Sequence, residues 1–510
     1  MAVSRNKWLI AVTVMLPTLI EIIDTSIVNV SLDHIRGSLS AGIEEATWAI
    51  NAYLVANAIV IPMSGWLSRL FGRKNYQIGS IVLFTVSSFL CGSAWSLPSL
   101  IFFRVMQGLA GGGLVPVSQS ILLEAFPPKQ HGVAMAIFGV GTMVGPILGP
   151  IMGGWITDNW SWRWIFYINL PIGALAIIMN ALVIEDPPWM TKMKMRINYL
   201  GLIFLAVGLG SLQMVLDKGQ QEDWFSSDLI TIFALTSFFA LALLVVNELT
   251  VPQPIINLRL FRDPTFATGT VVMFFLFFNL FGSIVLLPIY VQSLMGYTSY
   301  QAGLVLGPGG LATLCVMPLV GKLVQKVNPK KILGVGIVIC AATTWLMSQF
   351  NLQADFWTFV LPRITLGLGM GLSFIPLTTL TLSHIPREKM GQATAMYNLL
   401  RNMGGSVGIA FVTTLLARRT QFHQSRLVDH LTVFDPAYTM AKGKVAAALA
   451  GQGLPGAGAD GMIYGQLMRQ ARMLAFNDTF YVTSIMLASV LLLVFFMQRA
   501  PGGAPPGASH

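Results

Sequence analysis

Residues 104–113 read RVMQGLAGGG, and residues 363–372 read RITLGLGMGL. The offset of 259 residues between Arg104 and Arg363 then holds without a gap: Gly108 matches Gly367, Gly112 matches Gly371, and Pro127 matches Pro386. Further on, Gly132 matches Gly391, Ala134 and Ala136 match Ala393 and Ala395, and Gly145 and Gly149 match Gly404 and Gly408. Glycines by themselves serve close helix packing. Here, however, an arginine, a proline and the helix boundaries align with them, so the chain contains two related halves. Two homologous halves around a central cavity are the usual architecture of a secondary transporter. A weaker echo joins GWLSRLFGRK, from Gly65 to Lys74, with GKLVQKVNPK, from Gly321 to Lys330. Both are short, open on glycine and place basic residues at helix ends, where they meet terminal carbonyls and the negative end of the helix dipole.

The composition agrees. Of 510 residues, 55% are hydrophobic and only 10% charged, against about 25% charged in soluble domains. That excludes a soluble body, and the same richness in apolar residues excludes a disordered one. Glycine has no collagen period. Cys91, Cys315 and Cys340 lie in apolar runs and suggest neither a disulfide framework nor a thiolate metal cluster.

Apolar stretches near 20 residues recur, each sufficient to cross about 30 Å of hydrocarbon. Fourteen are predicted: 8–30, 47–68, 76–96, 98–122, 132–155, 163–184, 197–216, 229–248, 266–290, 302–323, 331–350, 357–380, 391–416 and 476–498. The first runs straight into Glu21, Asp24 and Asn29 without a cleavage-like tail and reads as a retained helix. The expectation is an all-α polytopic membrane protein with an N-terminal six-helix bundle (1–190), two intervening helices (191–257) and a C-terminal six-helix bundle (258–510) that includes an extramembrane segment, 417–475.

Most of the 31 lysines and arginines fall on one side if both termini are cytoplasmic, among them Arg5, Lys7, Arg69, Arg73, Lys74, Lys129, Lys192, Lys194, Arg196, Arg387, Lys389 and Arg499. This is the positive-inside pattern, so the net charge of +10 reads as topology rather than as nucleic-acid binding. In 417–475, a helix is expected to continue through RRTQFHQSRLVDHL. The stretch KVAAALAGQGLPGAGADG reads as turn or flexible chain. From Met462 an amphipathic helix, with Leu467, Ala471 and Leu474 on its apolar side, leads into the last span.

Intramembrane charges are costly and default to functional positions. Asp24 lies in IIDTSIVNV beside Thr25, Ser26 and Asn29, with Glu21 three residues earlier on the same face. Two close carboxylates in low dielectric cannot both ionise cheaply, so the pair suits proton coupling or substrate binding. For Asp24 the bland alternative is a structural partner for a buried arginine. Arg104, followed by Gln107, needs a carboxylate, carbonyls or water, and Arg401 poses the same question in the second half. Arg363 reads as snorkelling from a helix end. Glu124 and Glu248 read as water-accessible, and Asp478 as a helix cap. Glycines 141, 145, 149 and 153 form a side-chain-free stripe on the fifth span, with Pro146 and Pro150 bending it. No phosphate-cradling loop, metal-spaced histidines or other enzyme constellation occurs.

These motifs together resemble the fourteen-helix drug:proton antiporters of the major facilitator superfamily, close to the EmrB/QacA group. The resemblance rests on LIEIIDTSIVNVSL (19–32), GWLSRLFGRK, RVMQGLAGGG, GVGTMVGPILGPIMGG (139–154), WSWRWIFYINLPIG (160–173) and LRLFRDPTF (258–266). It implies Asp24 as the proton or substrate site and Arg104 as its relay partner, within a coupling set of Asp24, Glu21, Arg104, Gln107 and Arg401. It implies gating and packing by Arg69, Gly72, Arg73, Gly141, Gly145, Pro146, Gly149 and Pro150. The family has an acid in the loop after the second span where this chain has Ser68, so the usual acid–arginine latch is not expected there. The implied activity is non-enzymatic: proton-driven export of hydrophobic or amphipathic toxic compounds across the bacterial inner membrane, with no cofactor. In a Gram-negative host a periplasmic adaptor and an outer-membrane channel would be partners. A proton-coupled carrier of one solute, such as a siderophore or metabolite, fits the same motifs, and a non-transporting sensor or scaffold is the alternative of another class.

Overall fold

The computed structural model describes residues 6–187, 197–429, 431–432, 434–451 and 458–498; the side chains of Val30, Ile43, Glu44, Pro146, Ile147, Pro150, Ser299 and Ala450 fall outside that description. Arg5, Lys192, Lys194, Arg196 and Arg499, read above as inner-face anchors, lie outside the described residues.

The described chain is helical throughout. The helices are α1 (Lys7–Val30), α2 (Leu32–Ser38), α3 (Ile43–Phe71), α4 (Arg73–Gly92), α5 (Leu97–Gly111), α6 (Leu114–Ala125), α7 (His131–Asn159), α8 (Trp164–Tyr167) and α9 (Asn169–Val183). They continue with α10 (Tyr199–Lys218), α11 (Asp228–Thr250), α12 (Pro264–Ser293), α13 (Ser299–Leu323), α14 (Pro329–Met347), α15 (Phe356–Leu382), α16 (Met390–Val428), α17 (Pro436–Gly451) and α18 (Ala459–Phe496). Among the described residues, 12 helical segments are long and apolar enough to cross a membrane. α4 and α7, with 20 and 29 residues, fall outside that set; α4 opens on Arg73-Lys74-Asn75 and buries Gln77 and three serines, which lowers its hydropathy. The exteriors are apolar, as lipid contact requires: Ile232, Phe238, Phe239 and Val246 of α11 are all exposed.

The repeat read in the sequence reappears as matched crossings. A Cβ on Gly108 would meet the Tyr53 carbonyl oxygen, and one on Gly367 would meet the Gly309 carbonyl, so α5 lies on α3 as α15 lies on α13. Likewise Gly145 and Gly149 of α7 abut α1 at Ile22 and Ser26, while Gly404 and Gly408 of α16 abut α12 at Phe274 and Phe278. α10 and α11 pair through Gly208, against which Leu241 packs and whose carbonyl accepts from Ser237 Oγ at 3.0 Å. α10 also packs on α3 and α16, with Gln213 and Trp224 donating to Ser406 and Thr414 of α16 at 3.1 Å each.

In the segment 417–475 the structure both supports and corrects the sequence reading. α16 runs unbroken for 39 residues, about 58 Å at 1.5 Å per residue, and so passes well beyond the membrane. α18, of 38 residues, includes the amphipathic stretch, with Leu467 and Ala471 buried, Leu474 half-buried and Met462 exposed. The turn expected from KVAAALAG is instead the end of helix α17. Its alanines are strong helix formers, and this local preference outweighed the glycines that follow. Residues 452–457 of the same stretch lie outside the described residues.

Candidate functional site

α1 is an apolar helix carrying two acids, and its packing gives them different surroundings. The glycine stripe of α7 faces α1: a Cβ at Gly141, Gly145, Gly149 or Gly153 would strike Met15, Ile22, Ser26 or Ile27. The backbone approach expected from that stripe therefore fixes the very helix that bears Glu21 and Asp24. Pro146 and Pro150 lie within α7, and their side chains lie outside the described residues.

Asp24 is fully buried. Arg104 Nη1 donates to its Oδ2 at 2.6 Å, and Gln107 Nε2 and Asn169 Nδ2 both donate to its Oδ1 at 2.9 Å. Arg104, 1% exposed, also donates from Nε to the Ala49 carbonyl at 3.0 Å and from Nη1 to Gln107 Oε1 at 2.7 Å, and its guanidinium lies 4.2 Å from the Tyr53 ring centroid. Such a pair persists in low dielectric only when further hydrogen bonds occupy the remaining sites. Gly108 and Gly112 provide the access: without side chains, α5 comes close enough to α3 for Arg104 to reach the Ala49 carbonyl.

Glu21 is 9% exposed and accepts from Asn57 Nδ2 at 3.1 Å, and the Tyr53 hydroxyl bonds it as well. Across from it stands Arg401 of α16, whose charge acts on Glu21 without direct contact and whose guanidinium lies 5.4 Å from the Phe277 ring centroid. The structure thus brings together Asp24, Arg104 and Gln107 in one cluster, and sets Glu21 against Arg401 in another.

At the end of the helices that carries Arg69, Arg73 and Lys74, Gly72 has φ 85°, a left-handed conformation that favours glycine at the α3–α4 turn. Arg73 makes a bidentate pair with Glu124 of α6 at 2.7 and 2.9 Å, both side chains being 6% exposed. Ser120 Oγ donates to the same carboxylate at 3.3 Å. Glu124 is therefore not the water-accessible acid expected above; Arg73, needing a counter-charge once buried, draws it in. Ser68, in place of the family acid, donates to the Gly65 carbonyl of its own helix at 3.0 Å. Here too α3 crosses α16 and α7 crosses α13: a Cβ on Gly65 would lie 2.6 Å from the Gly391 carbonyl oxygen, and one on Gly132 would lie 2.9 Å from that of Gly321. Asn398 Nδ2 donates to Gln119 Oε1 across the same boundary at 2.6 Å.

Three further readings are corrected. Arg363 does not snorkel: it is 6% exposed, with its stem against Gly309 of α13 and its guanidinium bonded to Ser283 of α12. Glu248 is buried, accepting from the Ile256 amide at 2.8 Å where the chain folds back after α11. Asp478 caps nothing, since α18 begins at Ala459; it pairs with Arg419 and with His423 Nε2, the latter at 2.7 Å. The sequence reading missed Asn57, Asn169 and Tyr53. Their signal was polarity within apolar runs, the same that singled out Asp24, but uncharged residues carry it weakly. Among the described residues no group of three or more His, Cys, Asp or Glu is gathered as a metal site.

Comparison with known proteins agrees with this geometry. The Major Facilitator Superfamily profile matches residues 14–409. Multidrug export protein EmrB of Escherichia coli (strain K12) is 35% identical over 504 residues, covering 98% of both chains. The chain belongs to the major facilitator superfamily, among its EmrB-like exporters. Fatty acid resistance protein FarB of Neisseria gonorrhoeae is 34% identical, over 95% of each chain. Among solved structures, a double-tryptophan variant of XylE superposes with a TM-score of 0.65 at 15% identity, covering 97% of each chain. The human organic anion transporter MFSD10 gives 0.61 at 11% identity, covering 96% of this chain and 99% of that one. At these identities the two structures speak for the fold alone.

Proposed function

We propose that this chain exports hydrophobic or amphipathic toxic compounds in exchange for protons. The observation that carries the reading is the pair of acids on α1, one locked against Arg104 and one facing Arg401 from the opposite half. A charged carboxylate holds its cation; a proton delivered to it removes that attraction and lets the halves rearrange. Glu21, held by neutral partners and facing a cation without an ion pair, is the acid a cavity proton or a bound cationic compound would meet first. Asp24, Arg104 and Gln107 form the relay that senses the change and passes it to α5. Relatives named for multidrug export and fatty acid resistance support a broad, apolar substrate range.

In this reading α4 and α7 also span the membrane, giving fourteen spans: six in 1–190, two in 191–257 and six in 258–510. The termini are cytoplasmic, with the Arg69–Lys74 end inside. The outer extensions of α16 and α18, with α17 between them, expose Phe434, Met440 and Met462 and serve as the docking surface for a periplasmic adaptor that leads to an outer-membrane channel.

The test is purified protein in liposomes with an imposed proton gradient, challenged with a panel of dyes, uncouplers and biocides. Gradient-dependent movement of several unrelated compounds with proton counterflow is expected. Movement of one solute only would replace this reading with a dedicated carrier, and no movement at all would remove transport. For the docking surface, a chain shortened within 417–475 should lose co-purification with the adaptor and keep dye binding; retained co-purification would refute it.

A further inference from the structure

Arg104 and Arg363 occupy matching places in the sequence repeat, and the structure gives them opposite fates. Arg104 has a carboxylate, a carbonyl and an amide oxygen. Arg363 has one described bond, from Nη1 to Ser283 Oγ of α12 at 2.9 Å; its Nε is buried and has no partner among the described residues. Among the described residues no carboxylate pairs with it. The nearest acid along its own helix, Asp355, is engaged in capping α15 through the Thr358 amide at 2.9 Å.

A second orphan donor lies on the same seam. Tyr290 of α12, fully buried, has a hydroxyl without a partner among the described residues. Its ring sits 5.6 Å from that of Phe359, which precedes Arg363 by four residues and so shares its face of α15. Near it, Arg469 of α18 donates twice to the Leu294 carbonyl, at 3.0 and 2.6 Å, and its charge reaches Tyr290. Along the α12–α15 seam Arg363 at Ser283, the Phe359 and Tyr290 rings, and Arg469 at Leu294 therefore follow one another.

A buried guanidinium without an anion is strongly unfavourable. Its planar fork matches a carboxylate, which accepts two parallel bonds. We propose that the α12–α15 seam, centred on Arg363 with Tyr290 beyond it, is a subsite for the carboxylate of an amphiphilic weak acid, whose apolar body lies along the Tyr290–Phe359 rings. This rests on the reading of the chain as an exporter of amphipathic compounds and adds to it a charge preference: the N-terminal half supplies acids, the C-terminal half an unpaired base.

The test uses the full chain in neutral detergent, with no gradient, and measures equilibrium binding of a dansyl-labelled undecanoic acid, its methyl ester and ethidium. The acid should bind wild-type protein well above the ester. Arg363→Gln should weaken the acid roughly 10- to 100-fold, the worth of a hydrogen bond to a charged group, and leave ester and ethidium unchanged. Arg363→Lys should restore part of the loss. Tyr290→Phe, which keeps the ring and removes only a hydroxyl about two helical turns from Ser283, should leave acid, ester and ethidium binding unchanged; if Arg363→Gln is poorly folded, the partial loss expected in Arg363→Lys carries the test. Equal affinity for acid and ester, or undiminished acid binding in Arg363→Gln or, where that variant is poorly folded, in Arg363→Lys, would overturn it. So would displacement of the acid by phosphatidylglycerol at lower concentration than by unlabelled fatty acid, which would make the seam a lipid site. Because binding is read without a gradient, failure of proton-driven export would leave this result standing, and failure here would leave export untouched.

Discussion

Asp24→Asn is the sharpest perturbation of the buried cluster, because the amide keeps the carboxylate's shape. Asp24 accepts three hydrogen bonds and donates none. If the new amide keeps its oxygen toward Arg104, its NH2 group faces the NH2 groups of Gln107 and Asn169. Asn169 can turn its orphaned Oδ1 toward the new donor, but it then gives up the 3.0 Å bond to Ser88. Gln107 cannot turn without losing the acceptor it offers Arg104. One clash and one buried cation without an anion remain, and breaking a buried pair from one side costs about 3–5 kcal/mol. Detergent-denaturation titration of the purified protein should show a loss of that size, and proteoliposome efflux should be absent. Adding Arg104→Gln should recover most of the stability, since no charge then stays uncompensated, without recovering transport. A single substitution within about 1 kcal/mol of wild type, the ordinary range for sites without such features, together with normal gradient-driven efflux, would refute both the energetic argument and the coupling role.

Glu21→Gln should fold normally, because Asn57 can turn its amide to meet the new group, yet efflux should lose its dependence on the imposed pH difference; unchanged coupling in liposomes would exclude Glu21 as a proton carrier. Glu124→Gln should destabilise the chain by about 3–5 kcal/mol, read by the same titration, because it strands Arg73; a neutral outcome would show that water, not Glu124, compensates that guanidinium. Gly65→Ala should force α3 away from α16, since its Cβ would meet backbone atoms of Gly391 and Gln392 at 2.6–2.8 Å and no side-chain rotation relieves that. Thiol labelling of Gln392→Cys, in a background lacking Cys91, Cys315 and Cys340, should then quicken, and equal labelling rates would sink the idea of a close crossing there.

What the sequence disclosed follows from how strongly each residue's physics is tied to its own position. Spans were legible because hydrocarbon demands about twenty apolar residues whatever the neighbours. The α7 glycine stripe was legible as a packing face, since only missing side chains permit such approach, but its partner was not: nothing in GVGTMVGPILGPIMGGW names α1. Asp24 stood out as a charge in an apolar run, while its three donors lie at Arg104, Gln107 and Asn169, brought together only by folding. The misreadings of Glu124, Glu248 and Arg363 share a cause, whereas Asp478 was misread because α18 begins well before it, at Ala459. Each of the three was judged by its distance from a helix end, and burial was set instead by what packs across it. For α17 the error ran the other way, with alanine propensity prevailing over nearby glycines.

The two halves share their glycine crossings but not their charges, and that difference bears on mechanism. Symmetric crossings at Gly65 with Gly391 and at Gly132 with Gly321 let the halves close on each other at the Arg69–Lys74 end without preferring either. A device built only of these would rock with no coupling to anything. Direction has to come from groups that differ between halves: Asp24 with Arg104 and Glu21 on one side, Arg401 and Arg363 on the other. Protonation changes the charge of the first set and leaves the second fixed, because arginine does not release its proton in this range. In the proposed mechanism the proton therefore acts on the N-terminal half, while Arg401 presents constant positive charge to Glu21 from the C-terminal half. A bound anion neutralises that charge and a bound cation competes for Glu21, so compounds of either sign alter the attraction between the same two faces. In the proposed mechanism, charge asymmetry laid over symmetric packing is what lets the same two faces exchange protons for chemically unlike compounds.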